Sequence, residues 1–321
     1  MRVLVTGGAG YIGSVVADHL LHEGHRVTVL DNLSKGHREM VPEQAQFVLA
    51  DTGDSSALTD IFERGQFEAV MHFAASIEAG ESVVCPEKFF DNNSARALTL
   101  LQAVLKYRVP RFVLSSTAAV YGEPRHTPIP EDHPLEPTNP YGESKLIVER
   151  MLSWFHRIHG LRYASLRYFN AAGATPERGE DHDPETHLIP LVLQVPLGKR
   201  PAISIFGTDY PTADGTCIRD YIHVDDLATA HLRALLALGE HSQLICNVGS
   251  GSGLSVREVI NVARKVTGHE IPVVEAPRRG GDPAVLVASS EKISRVLGWK
   301  PQRSDIESIV RSAWEWHKAR D

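Results

Sequence analysis

What most constrains the fold of this chain is its opening: a short apolar stretch, Val3–Thr6, runs straight into Gly7-Gly8-Ala9-Gly10-Tyr11-Ile12-Gly13 and on into a segment of helical period, Ile12–Glu23. Glycines at that spacing let a backbone turn tightly and approach a pyrophosphate, while the helix behind them offers unpaired N–H groups and partial positive charge to the anion. A second apolar strand, Arg26–Leu30, ends at Asp31, roughly twenty residues beyond the turn, where a carboxylate can hold the ribose diol of an adenosine. Asp31 would repel a 2′-phosphate, so the pattern points to NAD rather than NADP. The bland alternative for Asp31 is a surface turn residue.

The same alternation continues along the chain. Strands are expected at Gln46–Leu49, Ala69–His72, Arg111–Ser115, Tyr163–Arg167 and Leu244–Val248, and helices at Ala57–Gly65, Asn93–Lys106 and Tyr141–His159. Short buried strands separated by longer helical segments predict an α/β fold with a doubly wound, Rossmann-type parallel sheet. From about residue 170 the texture changes: Pro, Gly and His crowd 171–216 and the alternation fails. This predicts an NAD-binding domain over 1–169 and a smaller α/β substrate-binding domain over 170–321. The second is expected to be discontinuous, because 217–248, with a helix read at Tyr221–Leu236, returns to the first.

At 321 residues, 42% of them hydrophobic, the chain can bury one large core or two closely packed ones. A formal net charge of -7, with no basic run longer than Arg278-Arg279, argues against nucleic acid as a partner. Cys85, Cys217 and Cys246 include no C-x-x-C pair, so neither a disulfide framework nor a cysteine zinc site is suggested, and a reducing cytoplasm fits. Residues 1–10 read as strand and turn rather than signal peptide, and no apolar run reaches the ~18 residues of a membrane helix. The sixteen histidines, His182 and His187 among them, show no paired spacing with a carboxylate on a helix face. No metal site is therefore expected, and His72 and His223 read as structural.

Two further motifs carry chemistry. Tyr141-Gly142-Glu143-Ser144-Lys145 opens a predicted helix, and the i, i+4 spacing sets Tyr141 and Lys145 on one face. A phenol of pKa near ~10 is a poor base at neutral pH, but a neighbouring ammonium and an oxidised nicotinamide would both stabilise its phenolate. Alone, Y-x-x-x-K is usually just a helix surface. Here it follows the dinucleotide turn and Ser115-Ser116-Thr117, hydroxyls placed at the carboxyl edge of the sheet where ligands of such folds bind. One of these could relay a proton to Tyr141, or could simply cap the strand end.

Together these motifs resemble the extended short-chain dehydrogenase/reductase family, and within it the UDP-glucose 4-epimerases. The likeness runs over nearly the whole chain, through Asp31–Ser34, His72–Ala75, Asp91–Asn93, Tyr168–Asn170, Gly207–Thr212, Asp214–Val224 and Arg278–Asp282. It implies a catalytic set of Thr117, Tyr141 and Lys145, with Ser116 the neighbouring candidate for the hydroxyl. For NAD it implies Gly7, Gly10, Tyr11, Ile12, Gly13, Asp31, Asn32, Lys35, Asp51, Thr52, Phe73, Ala74, Ala75, Asn92, Ser115, Tyr141, Lys145 and Tyr168. For a UDP-hexose it implies Thr117, Tyr141, Asn170, Leu188, Ser204, Phe206, Arg219, Arg279 and Asp282. Thr117 stands where the family usually has Ser, His187 where many members have Asn, and a lysine near the cofactor in some members is replaced around Ile77.

The resemblance implies interconversion of UDP-glucose and UDP-galactose, with UDP-glucuronate, UDP-pentose or UDP-N-acetylhexosamine as alternative substrates. A residue near Leu286 gates the sugar C2 substituent in the family. A 4,6-dehydratase would carry an acidic pair where this chain has Ala118 and Ala119, and a nucleotide-sensing regulator with a retired site would lack the Tyr/Lys pair. Family members are usually homodimers joined through helices corresponding to Asn93–Lys106 and Tyr141–His159. Ala95, Leu98, Leu101, Ala103 and Leu105 could form part of that face or belong to the core.

Overall fold

The structure is a computed structural model and describes residues 1–280 and 282–320; Gly281, part of the Arg278–Asp282 segment, lies outside the described residues. It divides into two compact units. The first gathers Met1–Gly122, Pro134–Arg167 and Ala228–Cys246, and the second Glu123–His133, Tyr168–Leu227 and the chain from Asn247 onward.

The strands, in chain order, are β1 (Arg2–Thr6), β2 (Arg26–Asp31), β3 (Gln46–Leu49), β4 (Ala69–His72), β5 (Arg111–Thr117), β6 (Arg162–Tyr168), β7 (Asn170–Ala172), β8 (Ile203–Phe206), β9 (Ile218–His223), β10 (Gln243–Val248), β11 (Gly253–Ser255), β12 (Val273–Ala276) and β13 (Val285–Leu286). Seven of them form one sheet in the order β10-β6-β5-β4-β1-β2-β3. The pairs β1/β2, β2/β3, β1/β4 and β4/β5 are all parallel. Every residue of β4, and all but the first of β1, is buried, the mark of a sheet covered on both faces. Leu4, Val70, Phe112 and Leu114 meet Leu58, Phe62, Leu100, Leu101, Val148 and Leu152 from the helices Ser55–Gly65, Arg96–Lys106 and Pro140–His159. The doubly wound Rossmann-type expectation is met. Strand order reverses between β1 and β4, the switch point at whose carboxyl edge such folds hold their ligands.

In the second unit β9 is central, pairing antiparallel with β11 and parallel with β7 and β13, while β12 runs parallel to β8. Its core joins Ile189, Val192, Ile203, Ile205, Tyr221, Val259, Ile260, Ile309 and Val310. The long amphipathic helix Val256–Thr267 begins with a capping box, Ser255 accepting from the Glu258 N–H and Glu258 from that of Ser255.

Three details depart from the sequence reading. Tyr221–His223 is the end of a strand, and the helix starts only at Val224. Residues 217–227 stay with the second unit, because β9 pairs with β7, β11 and β13, and the return begins at Ala228. Segment 123–133 leaves the first unit without any signal in its composition; Ile129 exchanges backbone hydrogen bonds with Val287 and Ser289, and Asn247 binds Ile129 O and Glu131.

Candidate active site

In the first unit the glycine turn is built by exclusion of side chains. Gly7 has φ of 74°, and a Cβ there would lie 2.4 Å from the Ala74 nitrogen; a Cβ on Gly13 would lie 2.2 Å from Gly7 O. The turn therefore closes against its own helix, Tyr11–His22, with only backbone at its surface, a cradle fitted to a dinucleotide pyrophosphate. Asp31, at the end of β2, accepts from the N–H of Ala9 at 3.0 Å and of Leu33 at 2.8 Å, so it orders the turn as well as facing its edge. Burial pushes its carboxyl up, against the lowering by those two hydrogen bonds.

Around this cradle Asn32 donates to Asp51 at 2.8 Å, and Asp51 pairs with Arg96 at 2.6 Å. Thr52 is buried, and Phe73, Ala74 and Ala75 are half-buried just past β4. Asn92 lies in a single wide π turn, Phe90–Ala95, inserted where a continuous helix was expected from Asn93. Its cause is side-chain chemistry: Asn93 accepts from Ser76 N and donates to Ser76 O and Ser144 Oγ, drawing the backbone inward. Tyr168, the last residue of β6, is counted with the second unit.

The candidate proton-handling groups lie at the end of β5 and at the start of the helix Pro140–His159. Asn139 caps the helix Pro140–His159 by accepting from Gly142 N, and Pro140 occupies the first turn. Gly142 lets that helix approach the turn after β5, since a Cβ there would stand 2.5 Å from Ala119 O. The close approach brings the helix start to the end of β5, and the Thr117 hydroxyl lowers the pKa of the Tyr141 phenol. Thr117 Oγ1 also accepts from Ala119 N at 3.1 Å, which leaves its proton for Tyr141. One turn on, Lys145 is buried and donates to Ser115 O at 2.9 Å. Burial brings its ammonium down to about 8 despite the nearby Glu149.

Ser116 is engaged elsewhere. Its hydroxyl donates to Glu149 at 2.6 Å, and Glu149 is gripped by Arg167, which also donates to the Tyr121 hydroxyl at 3.0 Å. All four side chains are buried, so the network fixes the floor beneath Lys145. Burial, together with Glu78, pushes the Tyr141 phenol up, while Thr117 pulls it down. Glu78 lies 3.4 Å from Lys35. Sequence reading missed Glu78, Glu149 and Arg167; only the i, i+4 step from Lys145 to Glu149 hinted at the network.

In the second unit Asn170 donates to Asp220 O at 3.0 Å, tying β7 to β9. Arg219 pairs with Asp282, and Leu286 stands opposite Arg219 in the β13/β9 register. The Arg279 guanidinium stacks 4.0 Å over the Phe206 ring at the end of β8, the strand that holds Ser204. Leu188 is the first residue of the helix Leu188–Leu193. Among the described residues, no helix is long and apolar enough to cross a membrane.

A parallel sheet with a glycine cradle at its switch point and a Thr–Tyr–Lys cluster at the same edge defines a nucleotide-dependent enzyme of the short-chain dehydrogenase type. Residues 3–249 match the NAD dependent epimerase/dehydratase family, and the chain belongs to it, with NAD as its cofactor. It is similar to the UDP-glucose 4-epimerase of Streptomyces lividans, 54% identical over 99% of this chain and 96% of that protein. It is 53% identical to the UDP-glucose 4-epimerase of Halalkalibacterium halodurans, over 99% of this chain and 96% of that one. A crystal structure of UDP-glucose 4-epimerase from Brucella ovis in complex with NAD superposes with a TM-score of 0.94 at 44% identity, covering 97% of each chain.

Proposed function

We propose that this enzyme interconverts UDP-glucose and UDP-galactose, with Tyr141 taking and returning the proton of the sugar 4-hydroxyl and Thr117 relaying it. The observation that carries this reading is the Thr117 hydroxyl acting on the Tyr141 phenol one helical turn from buried Lys145. Bound NAD supplies the acceptor and donor of the C4 hydride, taken from one face of the sugar and returned to the other, and in its oxidised form a positive charge. The chain's part is to hold and move the proton. Burial and Glu78 favour the neutral phenol, Thr117 favours its ionised form, and the Glu149–Arg167 pair fixes the helix that bears Lys145. Ser116 donates to Glu149, which favours Thr117 as the relay.

For NAD we assign the backbone of Gly7, Gly10, Tyr11, Ile12 and Gly13 to the pyrophosphate, and Asp31 to the adenosine ribose. Asn32, Lys35, Asp51, Thr52, Phe73, Ala74, Ala75, Asn92, Ser115, Lys145 and Tyr168 complete the cofactor set. For the substrate, the forked donors of Arg219 and Arg279 suit a diphosphate and Phe206 offers a face to uracil, with Asn170, Leu188, Ser204 and Asp282 around them. Holding the nucleotide rather than the hexose leaves the oxidised sugar free to turn about its phosphate link. Ala118 and Ala119 offer no acid for a dehydration.

Tyr141→Phe should abolish turnover while UDP still binds by calorimetry. Substantial residual epimerase activity would remove Tyr141 from this role. We also propose a homodimer through the helices Arg96–Lys106 and Pro140–His159. Of the apolar residues read from sequence, Leu101 and Ala103 are core and Leu98 is exposed; Trp154 and Ile158, which sequence reading did not single out, are exposed as well.

A further inference from the structure

Within eight residues of the second unit, Glu180, His182, Glu185 and His187 turn toward one point, each offering one ligand atom within 4.8 Å of the others. His187 Nδ1 lies 2.7 Å from Glu180 Oε1 and 2.9 Å from Glu185 Oε1. The His182 ring stands 5.4 Å from that of His187. Its Nδ1 is buried 3.3 Å from the same Glu180 oxygen, yet it has no hydrogen-bond partner. Glu180 is itself only 5% exposed.

Two carboxylates converge on one imidazole nitrogen, and a second imidazole nitrogen lies 3.3 Å from the same Glu180 oxygen without bonding it, so the four side chains form a compact ligand set. A tetrahedral ion with bonds of ~2.0–2.1 Å needs ligand atoms about 3.3 Å apart, and the three separations of 2.7, 2.9 and 3.3 Å lie at or below that value, so binding would spread the two shorter ones by a few tenths of an ångström. Two carboxylates and two neutral imidazoles balance a divalent charge. Imidazole donors select zinc and its first-row neighbours over calcium or magnesium, and four protein ligands close the coordination shell.

We infer that Glu180, His182, Glu185 and His187 bind a structural divalent transition metal, zinc by ligand class. The ion would clamp the segment before the helix Leu188–Leu193, whose N-cap is His187. Residue 179 is already pinned, since a Cβ on Gly179 would lie 2.4 Å from the Trp316 ring. His182 and His187 are five residues apart, off the i, i+4 step of a helix-face pair, so no metal was expected from spacing; a loop brings them together.

The test uses untagged, NAD-bound enzyme purified without chelator. Mass spectrometry should find about one equivalent of zinc per chain. After chelation, Zn2+ should raise the thermal midpoint to a plateau at one equivalent, and Co2+ should develop the intense visible absorption of a four-coordinate site that Zn2+ bleaches. His187→Asn and Glu180→Gln should lose both responses. The inference is overturned if chelated wild-type enzyme takes up no stoichiometric Zn2+ in equilibrium dialysis and Co2+ keeps the weak spectrum of the aqueous ion. Both readings use the wild-type chain, so they decide the matter even where a variant fails to fold.

Discussion

Thr117 and Ser116 are adjacent hydroxyls that a sequence cannot rank, and the structure separates them by what each touches. Thr117→Val should lower kcat on the order of 10²-fold while Thr117→Ser largely restores it, the range expected when a proton relay is removed. Ser116→Ala should instead destabilise the fold by about 1–3 kcal/mol, because Glu149 loses a buried donor, and should leave kcat near wild type. Urea unfolding and initial rates on both variants check the pair; a kcat collapse in Ser116→Ala would reverse the assignment. Glu78 raises the Tyr141 phenol, so Glu78→Gln should move the acid limb of kcat/KM to lower pH. An unmoved limb would show that Glu78 does not act on Tyr141.

His72 titrates in the opposite sense to a paired histidine. It is fully buried, bonded to Thr6 Oγ1 at 2.7 Å, and burial, helped by Lys145, brings it down to about 3. Between about 3 and 6.5 the unfolded chain then binds more protons than the folded one. Its contribution to stability is therefore complete above pH 6.5 and is lost as pH falls through that window, with a slope of up to ~1.4 kcal/mol per pH unit. Urea midpoints across pH 4–6.5 should fall less steeply for His72→Asn than for wild type; equal slopes would refute the buried neutral state.

At the scale of elements, the helix Pro140–His159 shows how a local signal becomes a site. Asn139, Pro140 and the Y-G-x-x-K run were all readable, and they predict where the helix begins. That Gly142 is needed for contact with Ala119 O was not, because the partner lies on another element. Gly142→Ala should displace Tyr141 from Thr117 and cut kcat by at least about 10-fold, with KM for UDP-galactose little changed. Steady-state kinetics test this, and a wild-type kcat would show that the helix start can yield. The π turn at Phe90–Ala95 was equally hidden, since its cause is hydrogen bonding from Asn93 to Ser76 and Ser144.

For the whole molecule, each unit has its own core, and the chain passes between them several times. Trp154 and Ile158 are 60% and 68% exposed on the helix Pro140–His159, large apolar area for a free surface. Ile158→Arg combined with Trp154→Glu should convert a dimer into a monomer in multi-angle light scattering at micromolar concentration. A wild-type chain that is already monomeric would remove the dimer.

Sequence alone determined the seven strands of the large sheet, the glycine turn with Asp31, and the Tyr141/Lys145 pair. Each is announced by a pattern of residues along the chain: period, capping, and the absence of side chains at a turn. Tertiary structure decided that Ser116 turns to Glu149, what holds Lys145 in place, where 217–227 and 123–133 belong, and that Glu180, His182, Glu185 and His187 meet. Those outcomes depend on loop paths and on partners distant in sequence, which no local pattern records.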